Sequence, residues 1–272
     1  MPDPIASAEA VAATLAAIRA RAPLVHNITN FVVTNSTANA LLAVGASPAM
    51  VEGADEVTAF VAIADALVVN LGTLSPPRAA VIRAAVAAAR AAGTPWVLDP
   101  VAVGAIPTRA ALARALLALG PAVVRGNGSE IAALAGAAAG SGRGVDSNAD
   151  AGAAPEAARR LAARAGVVVA VTGAVDYVTD GTRMIVLGNG HPMMTRVTGM
   201  GCTATALIGA CLAVTADNLA AAAHGLTLLG VAAELAAPDA AGPGSLQIGI
   251  LDRLFALDAA QIARLARIST EG

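Results

Sequence analysis

Short apolar runs rich in Val and Leu alternate with alanine-rich segments through the middle of the chain, and this alternation leaves few folds open. The runs are ALVVN (66–70), WVLD (96–99), AVVRGN (122–127) and VVVAVTG (167–173). Apolar strands that alternate with helices are typical of a parallel sheet buried under helices on both faces. The sequence therefore predicts an α/β protein with a largely parallel central sheet.

Helices are predicted between these strands, because alanine favours helix. The predicted helices cover residues 7–21, 76–92, 110–119, a short stretch from Ser129, 155–165, 201–214 and 217–236, with a last helix that follows GPGS (242–245) and ends near Ile268. A hairpin is expected to turn at Asp180–Gly181, and 136–155 reads as a loop. With no repeat and no linker, residues 1–272 are expected to form one domain.

The segment from Pro23 to Met50 begins with many Asn and Thr residues, which favour turns and caps. Asn35, Ser36 or Thr37 is expected to cap a helix that runs through Val44 and ends at Gly45.

Composition excludes several classes of function. The chain has a formal net charge of −2 and no lysine, so we expect no nucleic-acid partner and no catalytic lysine. Cys202 and Cys211 lie on one predicted helix and are not expected to form a disulfide. MPDPIASAEA lacks the regions of a signal peptide, and no apolar run reaches the length of a membrane span. A cytoplasmic protein without a membrane partner is expected.

The segment GNGHPMMTRVTGMGCTATA (188–206) predicts a strand end, a glycine turn and a helix that opens with Cys202. The first amides of a helix lack partners within it, and Gly199 and Gly201 carry no Cβ. Gly199, Met200 and Gly201 therefore predict an anion hole, most naturally for phosphate. The alternative is an ordinary glycine-rich turn before a buried helix with an apolar cysteine.

Polar residues fall where the predicted strands end. They are Asp99, Arg125, Asn127 and Thr172, with Glu130 in the first turn of the following helix. Ligands bind beyond the carboxyl ends of the strands of such a sheet. Asp99 and Glu130 suit Mg²⁺, and Arg125 suits phosphate oxygens. Taken singly, each residue could equally be a helix cap or a surface ion pair.

A phosphate site beside a Mg²⁺ site indicates phosphoryl transfer, in which catalysis is mostly positioning and electrostatic stabilisation. Cys202 is the candidate to take the proton of an acceptor hydroxyl, because a helix N-terminus lowers the pKa of a thiol. A rival is a cysteine hydrolase with Cys202 as nucleophile. That chemistry needs a positioned histidine, and His191 lies on the wrong side of the turn in sequence.

Longer motifs resemble those of hydroxyethylthiazole kinases, thiamine-salvage enzymes of the ribokinase-like fold. They are PLVHNITNFVVTNSTANALLAVGASPAM (23–50), LDPVAVGAIPTR (98–109), VRGNGSEI (124–131), RGVDS (143–147), VTGAVDYVTDG (171–181), GNGHPMMTRVTGMGC (188–202) and GPGS (242–245). The resemblance covers nearly the whole length in order. It implies a three-layer α/β/α fold and a homotrimer with sites between subunits. It also implies Mg²⁺- and ATP-dependent phosphorylation of the hydroxyl of 4-methyl-5-(2-hydroxyethyl)thiazole.

The resemblance also implies roles for single residues. They are Met50 and Gly199 at the thiazole, Asn30 in a segment that lines a neighbour's pocket, Arg125 and Thr172 at ATP, Asp99 and Glu130 on the metal side, and Cys202 beside the reacting hydroxyl. Three positions depart from the family pattern. Ala102 stands where glycine is usual, Ile106 where threonine is usual, and Met200 where a small residue or threonine is usual.

Two alternatives stay open beside the thiazole kinase. One is a sister kinase of the same fold that acts on a hydroxymethylpyrimidine or a similar alcohol, against which HNITN and Met50 favour the thiazole. The other is a catalytically silent protein that binds thiazole or nucleotide, against which the intact set of polar rim residues argues.

Overall fold

The structure is a computed structural model that describes residues 5–136 and 153–271. Most of the predicted loop at 136–155, and with it the motif RGVDS, lies outside the described residues.

Within the described residues, nine strands form one mixed sheet in the order β2-β1-β3-β4-β5-β6-β7-β8-β9. The strands are β1 (Leu24–Ile28), β2 (Ser47–Ala49), β3 (Ala66–Asn70), β4 (Trp96–Asp99), β5 (Val123–Asn127), β6 (Val168–Thr172), β7 (Asp176–Thr179), β8 (Met184–Leu187) and β9 (Ile268–Glu271). Pairing is parallel from β2 through β6 and antiparallel from β6 through β9. The prediction of a largely parallel sheet is confirmed.

Helices cover both faces of this sheet. They are α1 (Ala8–Arg21), α2 (Thr34–Val44), α3 (Val57–Val61), α4 (Pro76–Ala92), α5 (Pro107–Leu117), α6 (Gly128–Ala135), α7 (Ala153–Ala165), α8 (Met200–Leu212), α9 (Asn218–Ala236), α10 (Pro243–Ala256) and α11 (Ala259–Leu265). Side chains from β3 show the layering, because Val68 packs in the core with α1, α2, α8, α9 and α10. Leu67 and Val69 pack in the core with α3 to α7.

The most apolar helices lie in the middle of one layer. In α8, every residue from 203 to 212 is buried. The stretch Asn218–Asp239, which contains α9, is long and apolar enough to cross a membrane, but 89% of its apolar window is buried inside the protein. Packing against the sheet and α8 therefore accounts for its apolar character.

In the N-terminal part of the chain, the predicted cap of the second helix is wrong, and one strand was not predicted. Helix α2 begins at Thr34 with Val33 as its cap residue, so Asn35, Ser36 and Thr37 lie inside it. The Thr37 hydroxyl donates to the carbonyl of Val33 at 2.8 Å instead of capping an amide. Strand β1 was not anticipated, since its polar side chains interrupt the apolar pattern of a buried strand.

The C-terminal region is also more divided than predicted. Asp258 caps α11 through the backbone amide of Gln261, which separates α11 from α10. The chain then ends in β9, which pairs with β8, rather than in one long helix. The predicted hairpin is confirmed, with Thr179 opposite Met184 and the Asp180 carboxylate accepting from the turn amides.

Candidate active site

The carboxyl ends of neighbouring strands bring the predicted polar residues onto one rim of the sheet. Asn70 at the end of β3 pairs in register with Asp99 at the end of β4. Asn127 at the end of β5 pairs in register with Thr172 at the end of β6. The parallel pairing thus places four polar side chains in a row at the edge where such sheets bind ligands.

The glycine turn leads into α8 as the sequence predicts. Gly199 is the cap residue of α8 with a φ of 80°, a conformation that favours glycine. A Cβ at Gly199 would lie 2.3 Å from Cγ1 of Val33, so the turn packs directly against the start of α2. Met200 is the first residue of α8, and Cys202 lies in its first turn.

Arg125 lies against this helix start. A Cβ at Gly201 would lie 2.3 Å from Nη1 of Arg125, so the missing side chain makes room for the guanidinium. Nη2 of Arg125 donates to the hydroxyl of Thr172, and Nη1 lies 3.8 Å from Oδ2 of Asp99. Arg125 is only 9% exposed. A desolvated arginine beside the positive end of a helix strengthens the predicted anion hole.

Asp99 is the most buried of the predicted site residues, with 1% exposure. Its Oδ2 accepts from Nδ2 of Asn70 at 2.8 Å and from the hydroxyl of Thr205 at 2.9 Å. Its Oδ1 is buried without a hydrogen-bond partner among the described residues. Burial raises the pKa of this carboxyl, and the charge of Arg125 opposes the rise.

Both carboxylate oxygens of Glu130 accept hydrogen bonds from backbone amides. Oε1 accepts from Ala102 at 2.8 Å, and Oε2 accepts from Asn127 at 2.9 Å. With Asn127, it forms a capping box at the start of α6. Burial and the nearby charge of Asp99 raise the pKa of Glu130. Glu130 is thus part of a helix cap, one of the alternatives open for each rim residue taken singly. The role of Glu130 at a metal ion stays a prediction.

The fit to a divalent cation rests on Asp99. Oδ1 is a buried oxygen that a cation would satisfy, and the second carboxylate is close enough for the two charges to interact. Within residues 5–136 and 153–271, no group of three or more His, Cys, Asp or Glu residues could hold a metal ion. One or two carboxylates are what Mg²⁺ takes when water and substrate phosphates complete its shell, and the role of Asp99 and Glu130 at Mg²⁺ stays a prediction.

Cys202 lies between the amides of two asparagines. Nδ2 of Asn30 and Nδ2 of Asn70 each lie 3.3 Å from its Sγ. Burial and the charge of Asp99 raise the pKa of this thiol to about 12. The expectation of a lowered pKa is therefore wrong, because desolvation outweighs the helix terminus.

A cysteine hydrolase needs a histidine at its thiol, but the hydrogen bonds that described residues make to Sγ of Cys202 come from Asn30 and Asn70. Nδ1 of His191 instead accepts a hydrogen bond from the backbone amide of Met193 at 3.2 Å.

The residues predicted to contact the acceptor lie beside Cys202 or farther along the same rim. Asn30 is 5% exposed and also donates to Oδ1 of Asn70 at 3.0 Å. Met50 is half-buried and follows β2, the edge strand next to β1. The structure thus brings Asn30, Asp99, Arg125 and Cys202 into one cluster and leaves Met50 at the end of a more distant strand.

Two residues of this cluster were not anticipated. Asn70 joins Asn30, Asp99 and Cys202 through its carboxamide, and Thr205 donates to Asp99 from α8. Asn70 ends the apolar run ALVVN, so the strand-end rule that selected Asp99 would have selected it too. Thr205 follows Gly201 by one helical turn inside an apolar helix, where no local pattern distinguishes it.

Two of the departures from the family pattern have structural consequences. Ala102 adopts a φ of 59°, where glycine would be unstrained, and its amide binds Glu130. Ile106 caps α5 without a side-chain hydrogen bond, which a threonine there could supply. Both lie in the turn that follows Asp99.

A helix start packed against a buried arginine, beside a carboxylate whose Oδ1 has no hydrogen-bond partner among the described residues, is the arrangement that a small-molecule kinase needs to position phosphate groups near an acceptor. The sequence model of the hydroxyethylthiazole kinase family matches residues 15–260. A hydroxyethylthiazole kinase of Granulibacter bethesdensis is 62% identical over 253 residues, which are 93% of this chain and 92% of that protein.

Solved structures give the same result. The structure of a hydroxyethylthiazole kinase from Pyrococcus horikoshii OT3 matches with a TM-score of 0.90 and 40% identity, over 97% of this chain and 100% of that one. An ADP complex of Bacillus subtilis pyridoxal kinase shares the fold, with a TM-score of 0.60, 19% identity and coverage of 78% and 92%. The chain belongs to the hydroxyethylthiazole kinase family. It is a phosphotransferase with the ribokinase-like three-layer fold.

Proposed function

We propose that this protein transfers the γ-phosphoryl group of ATP to the hydroxyl of 4-methyl-5-(2-hydroxyethyl)thiazole in thiamine salvage. One observation carries the proposal. The guanidinium of Arg125 lies against Gly201 at the start of α8, while the neighbouring Asp99 keeps a buried oxygen that has no hydrogen-bond partner in the described part of the chain. Phosphate groups and a divalent cation would satisfy these groups together.

On the nucleotide side, Arg125 and Thr172 bind ATP. The guanidinium is already oriented by the Thr172 hydroxyl, so little side-chain freedom is lost when phosphate oxygens replace water. The amides of Met200 and Gly201 at the start of α8 hold the transferring phosphoryl group. This cradle acts on negative charge that develops during transfer.

On the metal side, Asp99 and Glu130 are the residues that would hold Mg²⁺. The ion supplies neutralisation of phosphate charge when it is bound. Asp99 offers Oδ1 directly, because Asn70 and Thr205 already occupy Oδ2. Both carboxylate oxygens of Glu130 already accept hydrogen bonds from backbone amides. Glu130 would therefore reach the ion through the remaining lone pairs of these oxygens or through a water molecule.

On the acceptor side, Met50, Gly199 and Asn30 contact the thiazole, and Cys202 lies beside the hydroxyl. The Cys202 thiol stays protonated near neutral pH, since its pKa is about 12. It therefore orients the hydroxyl rather than removing its proton. A loose transition state tolerates this, because the hydroxyl then loses its proton late.

The proposal includes a homotrimer whose sites lie between subunits. Phe31 is 73% exposed and Val32 is 64% exposed, directly after the buried Asn30. Apolar side chains left open beside a binding site suit coverage by another subunit. We also propose that the chain is a single kinase domain that acts in the cytoplasm.

Turnover tests the proposal. Purified protein, ATP, Mg²⁺ and the thiazole alcohol are incubated, and the phosphorylated thiazole is identified by mass spectrometry. We expect a Mg²⁺-dependent product with the natural chain and none with Asp99→Ala. Turnover of a hydroxymethylpyrimidine alone would assign the chain to the sister kinases. No product from either alcohol would contradict the proposal and leave a silent binder.

A further inference from the structure

Arg78 is a buried cation outside the phosphate site. Its side chain is 5% exposed and lies in the first turn of α4. A positive charge there opposes the helix dipole, and its Nε is buried without a partner among the described residues. Neither feature helps α4 to fold.

The contacts of Arg78 join two segments that follow different strands. Nη1 donates to Oε2 of Glu52 at 2.7 Å, and Nη2 donates to Oε1 at 2.7 Å. Nη2 also donates to the backbone carbonyl of Thr29. The guanidinium carbon lies 5.1 Å from the ring centroid of Phe31, within the range of a cation–π contact.

Those two segments carry the proposed thiazole contacts. Thr29 and Phe31 flank Asn30, which binds Cys202. Glu52 follows Met50 by two residues, and the carbonyl between them, at Val51, bonds to Nε2 of His26 at 2.7 Å. A shift of Arg78 would therefore displace residues on both sides of the proposed acceptor pocket.

The loop that precedes α4 supports the same segment. The hydroxyl of Thr73 accepts from the backbone amide of Phe31 at 3.3 Å. Thr73 has a φ of 45°, which is unfavourable for a β-branched residue. Backbone strain of this kind persists where the surrounding structure fixes it, often at binding sites.

We infer that Arg78 is a positioning residue that fixes the acceptor pocket by joining Glu52 to the Thr29–Phe31 segment. The inference rests on the proposed thiazole kinase function. A planar guanidinium suits this role because it serves a carboxylate, a carbonyl and an aromatic ring at once. Loss of the Arg78–Glu52 pair would loosen Met50 and Asn30 while leaving Arg125 and the anion hole in place.

Steady-state kinetics of Arg78→Met and Glu52→Gln test the inference. We expect the KM for 4-methyl-5-(2-hydroxyethyl)thiazole to rise about tenfold or more in Arg78→Met, because small misplacements are costly. The KM for ATP should stay near that of the natural chain. Glu52→Gln should shift the same constant in the same direction, by a smaller factor. Arg159→Met is the matched control, since it removes an arginine paired with Glu271 at the opposite edge of the sheet.

The outcomes separate the inference from the function it rests on. Equal changes in both KM values, or an unchanged thiazole KM, would overturn the positioning role. If Arg78→Met does not fold, Glu52→Gln decides the question. Glu52 is half-buried, and glutamine has nearly the same shape as glutamate, so this variant should fold. Absence of thiazole turnover by the natural chain would instead contradict the proposed function.

Discussion

The carboxamide of Asn70 donates to Oδ2 of Asp99 at 2.8 Å and thereby joins the end of β3 to the end of β4. The same nitrogen lies 3.3 Å from Sγ of Cys202, and Oδ1 of Asn70 accepts from Asn30 at 3.0 Å. Asn70 therefore connects the proposed acceptor side of the site to the proposed metal side. Groups that orient a ligating carboxylate in this way tune its position and charge.

Asn70→Ala should lower kcat by about 10- to 100-fold, as is usual when a partner of a metal-binding carboxylate is removed. Asp99 would keep Thr205 and Arg125, so the variant should still fold and bind ATP. Stopped assays at saturating substrates, with ATP titration beside them, measure both effects. A kcat equal to that of the natural chain would show that Asn70 is only structural.

Cys202→Asp should retain or increase kinase activity. A carboxylate in the first turn of α8 is favoured by the helix dipole, and the amides of Asn30 and Asn70 are already directed at this position. It could also accept the hydroxyl proton, which the high pKa of the thiol prevents. The product-formation rate with the thiazole alcohol measures the effect. Complete loss of turnover in a folded variant would refute the prediction.

Cys202→Ser separates the kinase from a covalent enzyme. A kinase that uses this side chain only for orientation should keep part of its activity with a hydroxyl. A cysteine hydrolase would be almost inactive. The assay of product formation described for Cys202→Asp also measures the activity of Cys202→Ser.

Arg125→Ala should weaken ATP binding more than thiazole binding, because the guanidinium lies against the start of α8, the proposed phosphate site, and bonds Thr172. Gly201→Ala should act in the same direction, since the new methyl group would lie 2.3 Å from Nη1 of Arg125 and displace it. Gly244→Ala is the matched control, because no atom of the described residues lies within 4 Å of a Cβ there. Calorimetric titration of each ligand measures both affinities, and equal losses for the two ligands would contradict the assignment.

The sequence was informative where one physical rule acts alone. Buried strands such as β4 and β6 are recognisable because both faces are apolar, and their ends then locate Asp99 and Thr172 on the rim. Strand β1 was missed because His26 and Asn27 are buried polar residues within it, and the partner of His26, the carbonyl of Val51, lies outside the strand. Strand β9 was missed because only its pairing with β8 makes its exposed residues a strand.

The chemistry of the site was less predictable than its location. The rule for a thiol at a helix N-terminus gave the wrong direction for the pKa of Cys202, since burial and Asp99 depend on the complete fold. The contact of Arg125 with Gly201 joins residues 76 positions apart (201 − 125). No local pattern contains such a contact.

Ala102→Gly should stabilise the protein by about 0.5 kcal/mol. A left-handed φ costs an L-residue about 1–2 kcal/mol, and glycine gives back about 0.4–1 kcal/mol through greater freedom in the unfolded chain. Ala102 has a φ of 59°, whereas Ala105 in the same turn is not among the residues with positive φ. Ala105→Gly should therefore lower stability. Urea unfolding of both variants tests the pair, and loss of stability in Ala102→Gly would show that its conformation is not strained.

Asp176→Asn should change how stability depends on pH. Asp176 begins β7 just after the rim, and its Oδ1 accepts from the amide of Gly173 at 2.9 Å. Burial raises its pKa from 3.8 to about 6, against the opposing effects of that hydrogen bond and of Arg125. As pH rises from about 4 to about 6, the unfolded chain loses this proton first, so the folded state of the natural chain loses stability over that window.

Asparagine cannot ionise and removes this contribution. The free energy of unfolding of the natural chain minus that of the variant should therefore be largest below pH 4 and fall towards pH 7. Urea titrations at several pH values measure this difference, from which the carboxyl groups common to both proteins cancel, and a difference that is constant with pH would show that the pKa of Asp176 is not raised.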